Sequence, residues 1–415
     1  MIWLLALLLQ SGAVAETPPE ESTRVCGRIG GSDSVEQTRT TFGGDGGFFD
    51  VEAQLDWTGP YFDLKRRLRD DHGLSFSLSS HLLFQEASET LSGRTSGAGA
   101  ILRFQGSWKA FARDTGHEGW LDWRIEDRSA LGGSRAPFDL GSDTGATALN
   151  PANGYSDSFD AGFSTLSWTQ LLFDHRAAIV VGRLAYDVYQ DALFVQGFSR
   201  GFLNRGIFLN PTIGTTGVGA LGAVGAVALT ENLWVDAMAF DANAVSADFD
   251  FDTIQEGEFL KSAAIGWTGS LENFKRDRIH LTYWEKDARQ EAGTTRGYGW
   301  TLSASWEVAD GVLPFLRFGH SNGGAGVAAE TSAAAGFEAE LWPDRILSVG
   351  AMWAEPSSET FGPDPRDEYA IETSFQFILS PNVSLMPDVQ LLIDPANAPE
   401  EDRVWVFGLR AILSL

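Results

Sequence analysis

From about residue 73 to residue 415, apolar and polar side chains alternate one by one in stretch after stretch, and no other feature restricts the fold as much. Successive side chains of a β-strand point to opposite faces, so a period of two marks strands whose faces meet different surroundings. Leu74, Phe76 and Leu78 alternate with Ser75, Ser77 and Ser79. Leu102, Phe104 and Trp108 oppose Arg103, Gln105 and Lys109, and Leu121, Trp123 and Ile125 oppose Asp122, Arg124 and Glu126. The last segment sets Trp405, Phe407, Leu409, Ala411, Leu413 and Leu415 on one face. Soluble sandwiches alternate too, so the links decide. Short links at 173–176, 230–232, 309–311, 342–345 and 380–382 alternate with long ones at 127–161, 187–216, 242–259 and 355–366. This asymmetry predicts an all-β fold: a transmembrane antiparallel β-barrel with short turns on one rim, long loops on the other, an apolar exterior and a polar lumen. Trp120, Trp168, Trp234, Trp300 and Trp405 fall near strand ends, where interfacial girdles are expected.

Parity sets the domain boundaries. An even strand number keeps both chain ends on the periplasmic side, and sixteen strands fit between residues 73 and 415. Residues 16–72 are therefore expected to form a short periplasmic N-terminal segment, a plug or a tether, in which Tyr61, Leu64 and Leu68 share one face of a short helix. Residues 1–15 read as a signal peptide, an apolar run ending in Ala13-Val14-Ala15 with cleavage after Ala15. The destination is then the outer membrane of a Gram-negative bacterium. The single cysteine, Cys26, has no partner for an internal disulfide and is expected to be inert.

Composition excludes several function classes. A net charge of −26, with 56 Asp and Glu against 30 Lys and Arg, argues against a nucleic-acid partner. A mean hydropathy of −0.10 excludes a bundle of membrane helices. Gly217-Val218-Gly219-Ala220-Leu221-Gly222 fits a dinucleotide fingerprint by letter, yet no strand–turn–helix unit surrounds it. Asp248, Asp250 and Asp252 begin like a calcium loop, but Thr253 and Phe259 stand where glycine and the bidentate carboxylate belong. Six scattered His and one Cys give no zinc spacing. No cofactor or metal, and no enzymatic nucleophile, is expected.

The predicted lumen face carries the candidate solute path: Arg103, Asp122, Arg124, Glu126, Arg183, Asp187, Trp284, Glu372 and Arg410, with Arg205 on the long link 187–216. Guanidinium and carboxylate groups beside aromatic planes suit hydroxyl-rich solutes, although each residue alone serves equally as part of a ladder of paired charges in the wall. The link 187–216 holds Tyr189, Phe194, Phe198, Phe202 and Phe208, too aromatic to float in water. Either it folds inward and narrows the pore, or it packs outside on its neighbours or on lipopolysaccharide.

The run Glu368-Tyr369-Ala370-Ile371-Glu372, the segment from Leu379-Ser380-Pro381-Asn382 through Leu391-Leu392-Ile393-Asp394-Pro395, and Val404-Trp405-Val406-Phe407-Gly408-Leu409-Arg410 resemble the C-terminal end of the carbohydrate-selective (OprB-type) porins. One departure is Leu415, where such barrels usually close on Phe. The resemblance implies a sixteen-stranded, sugar-permeable channel. The expected partners are carbohydrates as transported solutes and outer-membrane lipid and lipopolysaccharide around the barrel, with a homo-oligomer left open. A general or cation-preferring porin is the alternative, and a barrel enzyme the remoter one.

Overall fold

The computed structural model describes residues 59–113, 115–246, 251–270, 274, 276–342, 345–380 and 382–415. The expected signal peptide, Cys26, most of the 16–72 segment, and Asp248 and Asp250 lie outside the described residues.

Sixteen strands form in chain order: β1 Leu74–Ala87, β2 Ser96–Phe111, β3 Gly119–Ala130, β4 Phe159–Leu172, β5 Ala177–Leu184, β6 Ala220–Ala228, β7 Leu233–Asp241 and β8 Phe259–Thr268. They continue with β9 Arg278–Lys286, β10 Gly297–Ser305, β11 Val312–Ser321, β12 Ala329–Trp342, β13 Arg345–Pro356, β14 Glu368–Ser380, β15 Val383–Ile393 and β16 Arg403–Ser414. Each pairs antiparallel with its chain neighbours, and β1 pairs with β16 to close the barrel. The closing seam runs from Ala87↔Val406 to Ser79↔Ser414, extended by mutual backbone bonds between Leu78 and Leu415. Closure leaves no unpaired edge, the condition for strands to cross lipid.

The alternation sorts the side chains as expected. Phe104, Leu302, Ile371, Phe407 and Leu409 are among the large apolar residues exposed on the outer wall, and their sequence neighbours Arg103, Thr301, Glu372 and Arg410 are buried inside. On the outside, Trp123 lies across Gly106, its partner in register, where an added Cβ would sit 2.1 Å from the indole; the ring replaces the missing side chain. Of the aromatics expected at the girdles, Trp300 and Trp405 are exposed outside. Trp234 and Trp120 are not girdle residues: Trp234 alternates in step with the inward Asp236, Met238 and Phe240 and packs on Phe274, and Trp120 shares the face of Asp122, Arg124 and Glu126.

The barrel's largest apolar cluster lies inside the lumen. Leu140 and Leu149 from the β3–β4 link, and Leu193, Val195, Phe202 and Ile207 from the β5–β6 link, pack on inward Phe315, Met352, Val404 and Val406. Burying apolar loop residues there contributes about 25 cal/mol for each Å² removed from water. Four helices flank the strands among the described residues: α1 Gly59–His72 before β1, α2 Pro137–Asp143 and α3 Arg205–Phe208 in these two links, and α4 Ser358–Phe361 before β14. Helix α1 packs on the outer wall, where Tyr61 meets Phe76 at 6.4 Å, so this part of the 16–72 segment does not plug the lumen.

Candidate functional site

The β5–β6 link, residues 185–219, crosses the barrel and is held by inner-face side chains from the far side. Arg410 on β16 donates to the Phe198 carbonyl at 3.0 Å and the Gly201 carbonyl at 3.1 Å. Glu372 on β14 accepts from the backbone N–H groups of Leu203 (2.6 Å) and Asn204 (3.2 Å). Asn204 caps α3 and donates to Gln390 on β15 at 3.0 Å. Glu338 on β12 pairs with Arg200. A chain segment inside a barrel has no sheet partner, so its backbone groups need side-chain partners, and charged ones bond most strongly.

Asp191 is a buried carboxylate carried by the link itself. Arg317 on β11 donates to its carboxylate and to its backbone carbonyl, both at 2.7 Å. His280 Nε2 lies 2.9 Å from the other carboxylate oxygen. Arg278 Nε donates to His280 Nδ1 at 3.3 Å, which leaves the Nε2 hydrogen for Asp191. Burial pushes the Asp191 carboxyl up, but the Arg317 guanidinium and the His280 hydrogen bond outweigh it and hold the group below the usual carboxylate range.

The β3–β4 link, residues 131–158, enters beside it. Glu368 at the start of β14 accepts from the N–H groups of Thr147 (2.7 Å), Ala148 (2.9 Å) and Leu149 (3.1 Å), and from Ala396 at 2.9 Å. The two links also bond to each other, Arg205 N–H to the Asn150 carbonyl at 2.9 Å.

Half the ring away from β11, the inner wall of β2 and β3 carries a cationic cluster. One carboxylate, Glu126, meets Arg103 at 2.8 Å, Arg124 at 3.0 Å and Arg128 at 2.8 Å. Arg124 also donates to Ser164 at 2.9 Å, and Asp122 accepts from Thr169 at 3.1 Å. Phe198 of the inward link faces this wall, with the Arg103 guanidinium 4.4 Å and that of Arg128 5.5 Å from its ring centre. Three guanidiniums around one carboxylate leave local positive charge beside an aromatic plane. Many carboxylates of the opposite flank, Glu338, Glu368 and Glu372 among them, are occupied by the links.

The residues singled out from the sequence thus separate into groups. Arg103, Asp122, Arg124 and Glu126 come together on the β2–β3 wall. Glu372 and Arg410 face inward as anchors of the β5–β6 link, which carries Arg205 in α3; Trp284 also faces inward but is covered, with Gly214 of the link against its ring. Asp187 lies beyond β5, in the short 3₁₀ turn Tyr186–Val188. Arg183 does not face the lumen. It keeps register with Ile179 and Val181, whose side chains are exposed outside, and its guanidinium binds the backbone carbonyls of Phe163, Val218 and Val245 near the long-loop rim. Sequence reasoning missed Arg128, which continues the Asp122-Arg124-Glu126 alternation by one more step. It also missed Arg317, Glu338, Glu368 and Asp191, whose partners are remote in sequence.

Residues 352–415 match the family described as "Carbohydrate-selective porin, OprB family", which includes the segments in which the sequence resemblance lies. Porin AaxA of Chlamydia felis is 24% identical over 270 residues, 63% of this chain and 60% of that porin. Porin AaxA of Chlamydia muridarum is 22% identical over 61% of this chain and 55% of its own length, so the chain spans about three fifths of these curated relatives. Among solved structures, Pseudomonas putida OprB at high pH superposes with a TM-score of 0.69 at 15% identity, covering 87% of this chain and 97% of that one. The fold is that of a sixteen-stranded porin.

Proposed function

We propose that the chain is a passive channel of a Gram-negative outer membrane through which small carbohydrates diffuse. The observation that carries this reading is the closed barrel whose polar inner wall is crossed by an inward link, with the buried Arg103–Arg124–Arg128 cluster on Glu126 packed against Phe198 of that link. Guanidinium forks donate to vicinal hydroxyls, a carboxylate accepts from them, and an aromatic plane meets the apolar face of a sugar ring. The likeness of residues 352–415 to the carbohydrate-selective porins supports the same solute class. Outer-membrane lipid surrounds the apolar exterior, and lipopolysaccharide meets the long-loop rim.

A cation-preferring general porin is the second reading, motivated by the net charge of −26. Against it, Glu338, Glu368 and Glu372 are taken up by backbone donors of the two links, while guanidiniums line the β2–β3 wall. Planar-bilayer recordings test the proposal: ion conductance that falls reversibly as a mono- or disaccharide is added supports it, and a protein that inserts without conducting would be a structural anchor. Turnover of an ester or glycoside, lost on one polar substitution, would make it an enzyme.

A further inference from the structure

Helix α1 meets the wrong side of the barrel for a plug and the right side for lipid. Its C-terminus is clamped to the short-turn end of β2: Trp108 Nε1 donates to the His72 carbonyl at 3.2 Å and Arg113 to the Asp71 carbonyl at 2.9 Å. Its N-terminal half lies against the outer wall, with Tyr61 edge-on to Phe76 and Lys65 Nζ over both rings at 5.3 and 5.5 Å. Phe76 in turn meets Phe104, which is exposed on the outer wall like Trp108. The helix therefore continues the lipid-facing belt at its periplasmic margin.

The helical wheel divides accordingly. At 100° per residue, Tyr61, Leu64 and Leu68 share one side, and Asp63, Arg66 and Asp70 the other. Leu64 remains 44% exposed among the described residues, an apolar group beside the barrel contact. The helix carries Lys65, Arg66, Arg67 and Arg69 against Asp63, Asp70 and Asp71, a cationic balance in a strongly acidic chain. A short helix with this division lies in a membrane interface, its apolar side in the acyl boundary and its cations among phosphates.

We propose that α1 is an interfacial helix that rests in the periplasmic leaflet beside β1 and β2, with Leu64 among acyl chains and Lys65 and Arg67 against the phosphates of anionic phospholipid. The proposal rests on the outer-membrane reading above. It makes the segment before the barrel a lipid-bound collar rather than part of the solute path.

Nitroxide labels on the full chain test it, placed singly at Leu64→Cys, Asp70→Cys and Leu302→Cys in a Cys26→Ser background and reconstituted into phosphatidylethanolamine–phosphatidylglycerol vesicles. Power saturation with oxygen and with a nickel chelate reads depth. Leu64 and the strand control Leu302 are expected to favour oxygen, and Asp70 the chelate. Oxygen access at Leu302 with chelate access at Leu64 overturns the collar alone, whereas chelate access at Leu302 overturns the barrel reading and the collar with it. Lys65→Gln with Arg67→Gln is expected to move the Leu64 label toward water while heat-modifiable migration and conductance persist. An unmoved label refutes the role given to phosphate.

Discussion

Arg317 and Asp191 form a two-point clasp across the lumen, in which one guanidinium on β11 takes both the carboxylate and the backbone carbonyl of the inward link at 2.7 Å. Removing one partner of a buried pair costs about 3–5 kcal/mol. Arg317→Met is therefore expected to shift the link toward detachment on the order of a hundredfold or more. Single-channel recordings should show larger, noisier conductance, with the heat-modifiable gel shift retained. Unchanged conductance would mean that the link does not set the constriction.

The same clasp predicts acid tolerance. A carboxyl held below its ordinary range contributes stability that is complete above the unfolded value, about 3.9 for Asp, and is lost only as pH falls through the lower folded value. The hold of Asp191 on the link should thus be constant from neutral pH down to about pH 4.5, above that unfolded value. A step in conductance within this range that Asp191→Asn abolishes would contradict the assignment.

Glu126→Gln deprives Arg103, Arg124 and Arg128 of their shared carboxylate. The lumen loses one negative charge at its most cationic wall, so the reversal potential in a potassium chloride gradient should move toward that of chloride. Thermal stability should fall as well, by a few kcal/mol for breaking a buried ion cluster. A potential that moves toward potassium would show that other groups control permeation.

Glu368→Ala orphans the N–H groups of Thr147, Ala148 and Leu149. Each unmade buried bond costs about 1–3 kcal/mol. The β3–β4 link should loosen, and limited trypsin digestion at Arg135 should accelerate several-fold while the barrel resists. Equal digestion rates would remove Glu368 from the anchoring role.

The barrel was legible because alternation is a local property, and strands such as β1, β3 and β10 each carry their own inside and outside. Trp234 was misplaced for a physical reason: β7 sets Leu233, Val235 and Ala237 against Trp234, Met238 and Phe240, so both faces are apolar, and only Asp236 marks the inner one. Arg183 was misplaced because its polarity suggested the lumen, while backbone carbonyls of neighbouring loops satisfy it near the rim. The aromatic content of the β5–β6 link suggested inward folding, but its anchors could not be read. Arg317 and Asp191 are separated by 126 positions, and only the closed ring brings them together.

The most direct test of the central claim is swelling of liposomes containing the pure protein, in isosmotic sugars and in amino acids of matched size. Faster entry of the sugars, reduced by Arg124→Ala but not by Arg183→Ala, is the predicted result. Equal rates for sugars and amino acids, unaffected by Arg124→Ala, would contradict carbohydrate preference and leave a general porin.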